Sequence, residues 1–161
     1  MKDASDFIEM VIPAQAEYVG VVRLTSSGVA NRIGFSYDEI EDIKVAVSEA
    51  CTNAVNHAYN KEENGKITVG YGIYEDRLEI MVVDRGKSFD FADIRKKVGP
   101  FNGDLSVEKM SEGGLGLFLI ETLMDKVEIS GESGVIVLMT KYIRKDEVEP
   151  GADKISAFES R

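Results

Sequence analysis

The sequence predicts an α+β fold in which two hairpins and a first strand share a mixed sheet and three helices pack on one of its faces. Apolar residues recur at helical spacing over residues 36–58 and alternate with period two over residues 66–74 and 78–83. The order helix, hairpin, helix, hairpin is that of an α+β domain rather than a doubly wound parallel sheet.

Residues 7–12 alternate loosely and end against Pro13, which marks a short first strand. Residues 16–33 place Val19, Val22, Val29 and Ile33 at near-helical spacing. Gly20 and Gly28 weaken that helix, and Gly34 is its expected stop. Ser36-Tyr37-Asp38-Glu39 has the capping-box form, with Ser36 as N-cap and Glu39 reaching back. The helix it opens runs to about Ala58, with Ile40, Ile43, Val47, Ala50 and Ala54 as its buried stripe.

Ile67, Val69, Tyr71 and Ile73 share one face of the next strand, Glu75-Asp76 makes the turn, and residues 78–83 return. Residues 89–98 are expected as a short helix and residues 99–114 as a mobile, glycine-rich loop. Residues 115–124 are almost wholly apolar and read as a buried helix. Residues 126–130 and 135–143 form a second hairpin around residues 131–134. The outer sheet face would carry Thr68, Gly70, Gly72, Glu79 and Met81, a half-apolar surface open to self-association. One domain is expected over residues 1–161, with its core at about 7–143 and a charged, flexible tail at 144–161.

The 161 residues are 43% hydrophobic and 30% charged, in the range of an ordinary globule. A formal net charge of −10 argues against non-specific nucleic-acid binding and allows a basic protein partner. Cys51 is the single cysteine, so no internal disulfide forms, in keeping with a reducing compartment. Residues 1–6 carry two acids and no apolar run, so no signal peptide is expected there. The longest apolar run, residues 115–120, is too short to span a bilayer. The expected location is the cytoplasm, away from membranes.

Three segments carry chemistry. Glu49, Asn53 and Asn56 fall on one helix face at i, i+4, i+7. Mg²⁺ prefers oxygen ligands and keeps several waters, so one amide oxygen from Asn53 beside phosphate oxygens would suit it. Glu49, one turn earlier, could deprotonate an attacking hydroxyl or orient water. Taken alone, the pattern is more often that of a solvated helix face, since Glu and Asn are common exposed residues. Asp84 closes an apolar strand and could accept a hydrogen bond from an exocyclic amine, with Gly86 letting a ligand approach the backbone, although by itself Asp-x-Gly is more often a plain turn. Gly113-Gly114-Leu115-Gly116 leads into a helix whose free N–H groups favour phosphate. Thr140 interrupts an apolar strand; its hydroxyl either assists base binding through water or pairs within the sheet. His57 is the lone histidine and Cys51 a small buried residue, so neither builds a metal cluster or a catalytic dyad. The chain has no G-x-x-x-x-G-K-[ST] loop.

The order Glu-x-x-x-Asn, Asp-x-Gly, then Gly-x-Gly before a helix resembles the GHKL, or Bergerat-type, ATP-binding family of gyrase, a heat-shock chaperone and histidine kinases. The runs SEACTNAVNHAY, VVDRGKSFDF and SEGGLGLFLIETLMD, with EYVGVVRLTSSGVANRIG before them, are similar to the anti-sigma factor serine kinases of Gram-positive bacteria. The resemblance spans residues 7–143. It implies a two-layer α/β sandwich binding ATP and Mg²⁺. Glu49 would be the base acting on a substrate serine and Asn53 the magnesium ligand. Asp84 would read the adenine amino group, with Gly86 beneath the base and Thr140 assisting through water. Gly113, Gly114 and Gly116 would carry the lid and the phosphate contacts.

The implied reaction moves the ATP γ-phosphate to a serine of an anti-anti-sigma factor. The same kinase, as a homodimer, would sequester sigma-B and block stress transcription. Asp84-Arg85-Gly86-Lys87 lacks the second glycine of larger relatives. Lys109 is a candidate cation for the γ-phosphate when the loop closes, though more often such a lysine is simply solvated, and Arg23 is either a partner-docking residue or an ordinary surface charge. The alternative is a nucleotide-dependent sigma-binding module with little or no kinase activity. A sensor histidine kinase would need a phosphoacceptor helix and a sensory segment, and a gyrase-type ATPase further transducer domains.

Overall fold

The computed structural model describes residues 4–59, 65–84, 99–100, 114–130 and 136–144. Strand β1 (Asp6–Pro13) is followed by a 3₁₀ turn (Ala16–Tyr18), helix α1 (Val19–Ile33) and helix α2 (Tyr37–Tyr59). Strands β2 (Lys66–Ile73) and β3 (Arg77–Val83) come next, then β4 (Gly99–Pro100), helix α3 (Gly114–Leu123), β5 (Lys126–Ser130) and β6 (Ile136–Tyr142). One sheet results, in the order β1-β2-β3-β6-β5-β4.

Every pairing among these strands is antiparallel, where the sequence predicts a mixed sheet. The reason is that β6, the return arm of its own hairpin, inserts beside β3 and runs against it, Val83 opposite Ile136 and Arg77 opposite Tyr142. Residues 99–100 also depart from the expected loop: Gly99 pairs with Ile129 and Pro100 with Glu128. The expected short helix at 89–98, loop residues 101–113, the turn at 131–134 and the tail from 145 lie outside the described residues.

Local chemistry sets the helix limits. The Ser36 amide donates to Glu39 Oε1 at 2.8 Å, and the Glu39 amide donates to Ser36 Oγ at 3.2 Å. This reciprocal box satisfies two donors that the first turn of α2 leaves unpaired. Helix α1 stops at Gly34, whose φ of 108° lies in the left-handed region that a side chain disfavours.

Period two sorts the sheet into faces. Ile67, Val69 and Tyr71 of β2, Leu78, Ile80 and Val82 of β3, Val127 of β5, and Val137 and Met139 of β6 join one core with the helices. The helices contribute Val22 and Val29 from α1, Ile43, Val47, Ala50 and Ala54 from α2, and Ile120 from α3. Tyr71 also ties α1 to the sheet: its hydroxyl lies 2.7 Å from Ser26 Oγ, and Ser26 Oγ donates to the Val22 carbonyl at 2.8 Å.

The other face holds Thr68, Gly70, Gly72, Glu79 and Met81, as expected, but it is not open. Thr68 and Met81 have 0% exposure and Glu79 2%. On this side Phe7 and Val11 of β1, opposite Gly72 and Thr68, and Tyr142 of β6 are exposed.

Candidate active site

Glu49 and Asn53 lie one turn apart on α2, half-buried at the flank of the Val47, Ala50 and Ala54 stripe. Helix α3 packs against α2. The approach is closest at Gly116: a Cβ placed there would lie 2.9 Å from Glu49 Oε1, 3.2 Å from Asn53 Nδ2 and 3.5 Å from Asn53 Oδ1. Only a residue without a side chain lets the N-terminal turn of α3 come this near without displacing both groups. That turn, opened by Gly114, contains no acidic residue of its own. Its N–H groups and positive end are therefore disposed toward an anion supplied from elsewhere. Two of the three predicted segments thus meet.

The third is represented by Asp84, which directly follows β3 and is half-buried. Alternation from Ile80 and Val82, both in the core under the helices, puts Asp84 on the helix side of the sheet. Helix α2 packs on β3, so Asp84 shares this layer with Glu49 and Asn53. Gly86, Gly113 and Lys109 lie outside the described residues.

Thr140 does not join this group. It pairs with Glu79 on one side and Lys126 on the other, on the face away from the helices. Asp84 is five residues beyond Glu79, a strand distance of about 16 Å. The register of Thr140 between Glu79 and Lys126 favours the alternative reading, a place within the sheet.

Arg23 is exposed on α1, and its Nη1 donates to Ser48 Oγ at 3.2 Å. Ser48 in turn donates to the Lys44 carbonyl at 2.7 Å, so the guanidinium is tethered to α2 one residue before Glu49. Asn56 is exposed. Cys51 is fully buried behind the site, and desolvation pushes its thiol up to about 12, so it is inert at neutral pH. Among the described residues no three His, Cys, Asp or Glu side chains could hold a metal together. The donor set fits a hard ion bound mainly by phosphate and water, with the Asn53 amide oxygen as the protein's contribution.

Two polar residues near these helices escaped the sequence reading. Ser48 sits in an ordinary helical pattern and carries no local signal. Lys141 interrupts the apolar strand just as Thr140 does, and period two makes these neighbours face opposite ways; Lys141 is the one that points to the helices.

A family model described as a histidine kinase-like ATPase domain matches residues 12–141. A serine-protein kinase RsbW from Oceanobacillus iheyensis is 61% identical over 151 residues, covering 94% of this chain and 96% of that protein. The serine-protein kinase RsbW of Bacillus subtilis is 56% identical over 149 residues, 92% of this chain and 93% of the relative. The chain belongs to the RsbW serine-protein kinases of the histidine kinase-like ATPase family. A crystal structure of RsbU and RsbW domains from a Mycobacterium tuberculosis protein shares the fold, with a TM-score of 0.59 at 22% identity, over 85% of this chain and 32% of that longer one. Membership makes the chain an ATP-using protein kinase, as its Glu-x-x-x-Asn and glycine motifs imply. Among the described residues no helix is long and apolar enough to cross a membrane.

Proposed function

We propose that this kinase transfers the γ-phosphate of ATP to a serine of an anti-anti-sigma factor, and that it also binds and sequesters sigma-B, silencing stress transcription in the cytoplasm. The observation that carries the reading is the closure of Gly116 onto Glu49 and Asn53. It sets a carboxylate, an amide oxygen and a helix N-terminus side by side, the parts that phosphoryl transfer to an alcohol needs. A module that only bound nucleotide would need no carboxylate held there.

Bound ATP with Mg²⁺ supplies the phosphoryl group and the charge that offsets its oxygens. Asn53 would hold the metal. Glu49 accepts the proton of the incoming serine hydroxyl as the oxygen attacks. Asp84 accepts a hydrogen bond from the adenine amino group, with Gly86 beneath the base. Gly113, Gly114 and Gly116 would give backbone donors to the phosphates, and Lys109 would supply positive charge to the γ-phosphate.

Arg23, presented at the surface beside the Glu49 turn, is the docking residue for a partner's acid. The kinase works as a single domain with its core at 7–143 and as a homodimer. Exposed Phe7 and Val11 on the outer face of β1 supply the apolar contact surface for the second copy.

The test is Glu49→Ala. Nucleotide and sigma binding should stay within a few-fold of wild type, while transfer of labelled phosphate to the anti-anti-sigma protein falls by roughly 10² to 10⁴. Transfer at the wild-type rate would remove Glu49 as the base.

A further inference from the structure

Helix α3 is apolar nearly end to end (GLGLFLIETL). The hydrophobic drive on such a helix buries its surface but, being non-directional, does not by itself fix its position along its own axis. A directional contact does the latter. Lys141 Nζ, on β6, donates to the carbonyl of Leu123 at 2.8 Å and lies 3.9 Å from Asp42 Oδ2 on α2. Lys141 is only 8% exposed, and a lysine is that deeply buried only when paired. Leu123 is the last residue of α3, where helix carbonyls lack partners, and α3 has no basic residue in its last turn. Lys141 supplies both the missing donor and the positive charge that suits a helix C-terminus.

The spacing gives this contact its meaning. Asp42 precedes Glu49 by seven residues on α2, and Gly116 precedes Leu123 by seven residues on α3. Seven helical residues are two turns, about 10.5 Å. The two helices therefore make two rungs of equal separation: Asp42–Lys141–Leu123 at one end and Glu49–Asn53–Gly116 at the other. A shift of α3 along α2 at the first rung appears undiminished at the second.

We propose that Lys141 is a positioning residue for phosphoryl transfer: from the sheet it holds the C-terminal end of α3, and so fixes where the other end meets Glu49 and Asn53. This rests on the catalytic reading of those two residues. In the nucleotide-free chain, Lys141→Met should raise amide hydrogen exchange in peptides from residues 114–123 and leave the sheet peptides unchanged. With ATP and purified anti-anti-sigma protein, kcat should fall about tenfold, because small misplacements of reacting groups are costly. KM for ATP should change less than threefold.

Lys141→Arg, which keeps donor and charge, should restore kcat to within about threefold, as Arg too can donate to a helix-terminal carbonyl. Tyr71→Phe, a destabilised variant whose lost hydroxyl bonds to Ser26 and Val22 of α1, should keep the wild-type kcat and so separates position from stability. A folded Lys141→Met chain with wild-type kcat, or with exchange raised evenly throughout, overturns the proposal. If Lys141→Met does not fold, Asp42→Asn decides: a twofold or greater loss of kcat supports the proposal and an unchanged kcat overturns it. Should the wild-type chain itself show no transfer, the reading of Glu49 fails, and the exchange measurement still judges Lys141.

Discussion

Replacing Gly116 with Ala puts one methyl group into the narrowest point of the site. The new carbon would lie 2.9 Å from Glu49 Oε1 and 3.2 Å from Asn53 Nδ2, against an ordinary contact distance of 3.4 Å or more. The carboxylate must retreat by about 0.5 Å and the carboxamide by less. Overpacking costs typically 1–3 kcal/mol, but the ends of these side chains yield more readily than a core does. Replacing glycine by alanine inside a helix returns about 1 kcal/mol. Net stability should therefore change by no more than about 1 kcal/mol, which for a chain of this size is a melting shift of roughly 2–4 °C. Catalysis lacks that compensation. A 1 Å misplacement can cost 10²-fold, so a shift half as large should lower kcat about tenfold. The assay is the initial rate of labelled phosphate transfer at saturating ATP, with nucleotide affinity measured by calorimetry and folding by thermal melt. A Gly116→Ala chain that melts normally, binds ATP normally and transfers phosphate at the wild-type rate would show that the Glu49, Asn53 and Gly116 contact is not part of the catalytic machinery.

Tyr71→Phe should lower the urea midpoint by the equivalent of about 1 kcal/mol with no change in m, since Ser26 keeps its bond to the Val22 carbonyl and no donor is stranded; an unchanged midpoint would show that the hydroxyl does not help tie α1 to the sheet. The buried Cys51 thiol stays protonated up to about 12 in the folded chain, against an ordinary value of 9.0. Between these two pH values the unfolded chain has released a proton that the folded chain still binds, so stability falls as pH rises, by about 1.4 kcal/mol per unit. Cys51→Ala should flatten the decline in denaturation midpoint over that window and leave pH 7 to 8 unaffected in slope; an identical alkaline decline would place its origin elsewhere.

What the sequence made legible was local. Ser36 and Glu39 identify a helix start because their partners lie three residues apart, and Ile67, Val69 and Tyr71 identify a face because alternation fixes it. Glu49 and Asn53 were legible because one helix presents both. The direction of β6 beside β3 was not, since nothing within either hairpin states which strand the other will choose. Which way Thr140 faces was not legible for the same reason: in an apolar strand the two faces look alike until the pairing register is known. Lys141 was passed over because its acceptor, Leu123, is a backbone carbonyl 18 residues away that only the folded helix end leaves unpaired. The burial of Thr68 and Met81 was equally invisible, because alternation tells which side of a sheet a residue occupies and not what covers that side.

The two borders of the sheet are unequal, and this limits how copies can join by strand addition. On one border stands β4, two residues long, whose Pro100 has no N–H to offer. On the other stands β1, eight residues long. Among the described strands, then, one border can accept a neighbour and the other gives it almost nothing to bond with. Two copies meeting through their β1 borders consume the receptive border of both and close on a two-fold axis. At the other border, among the described strands, a further copy would meet only Gly99 and Pro100.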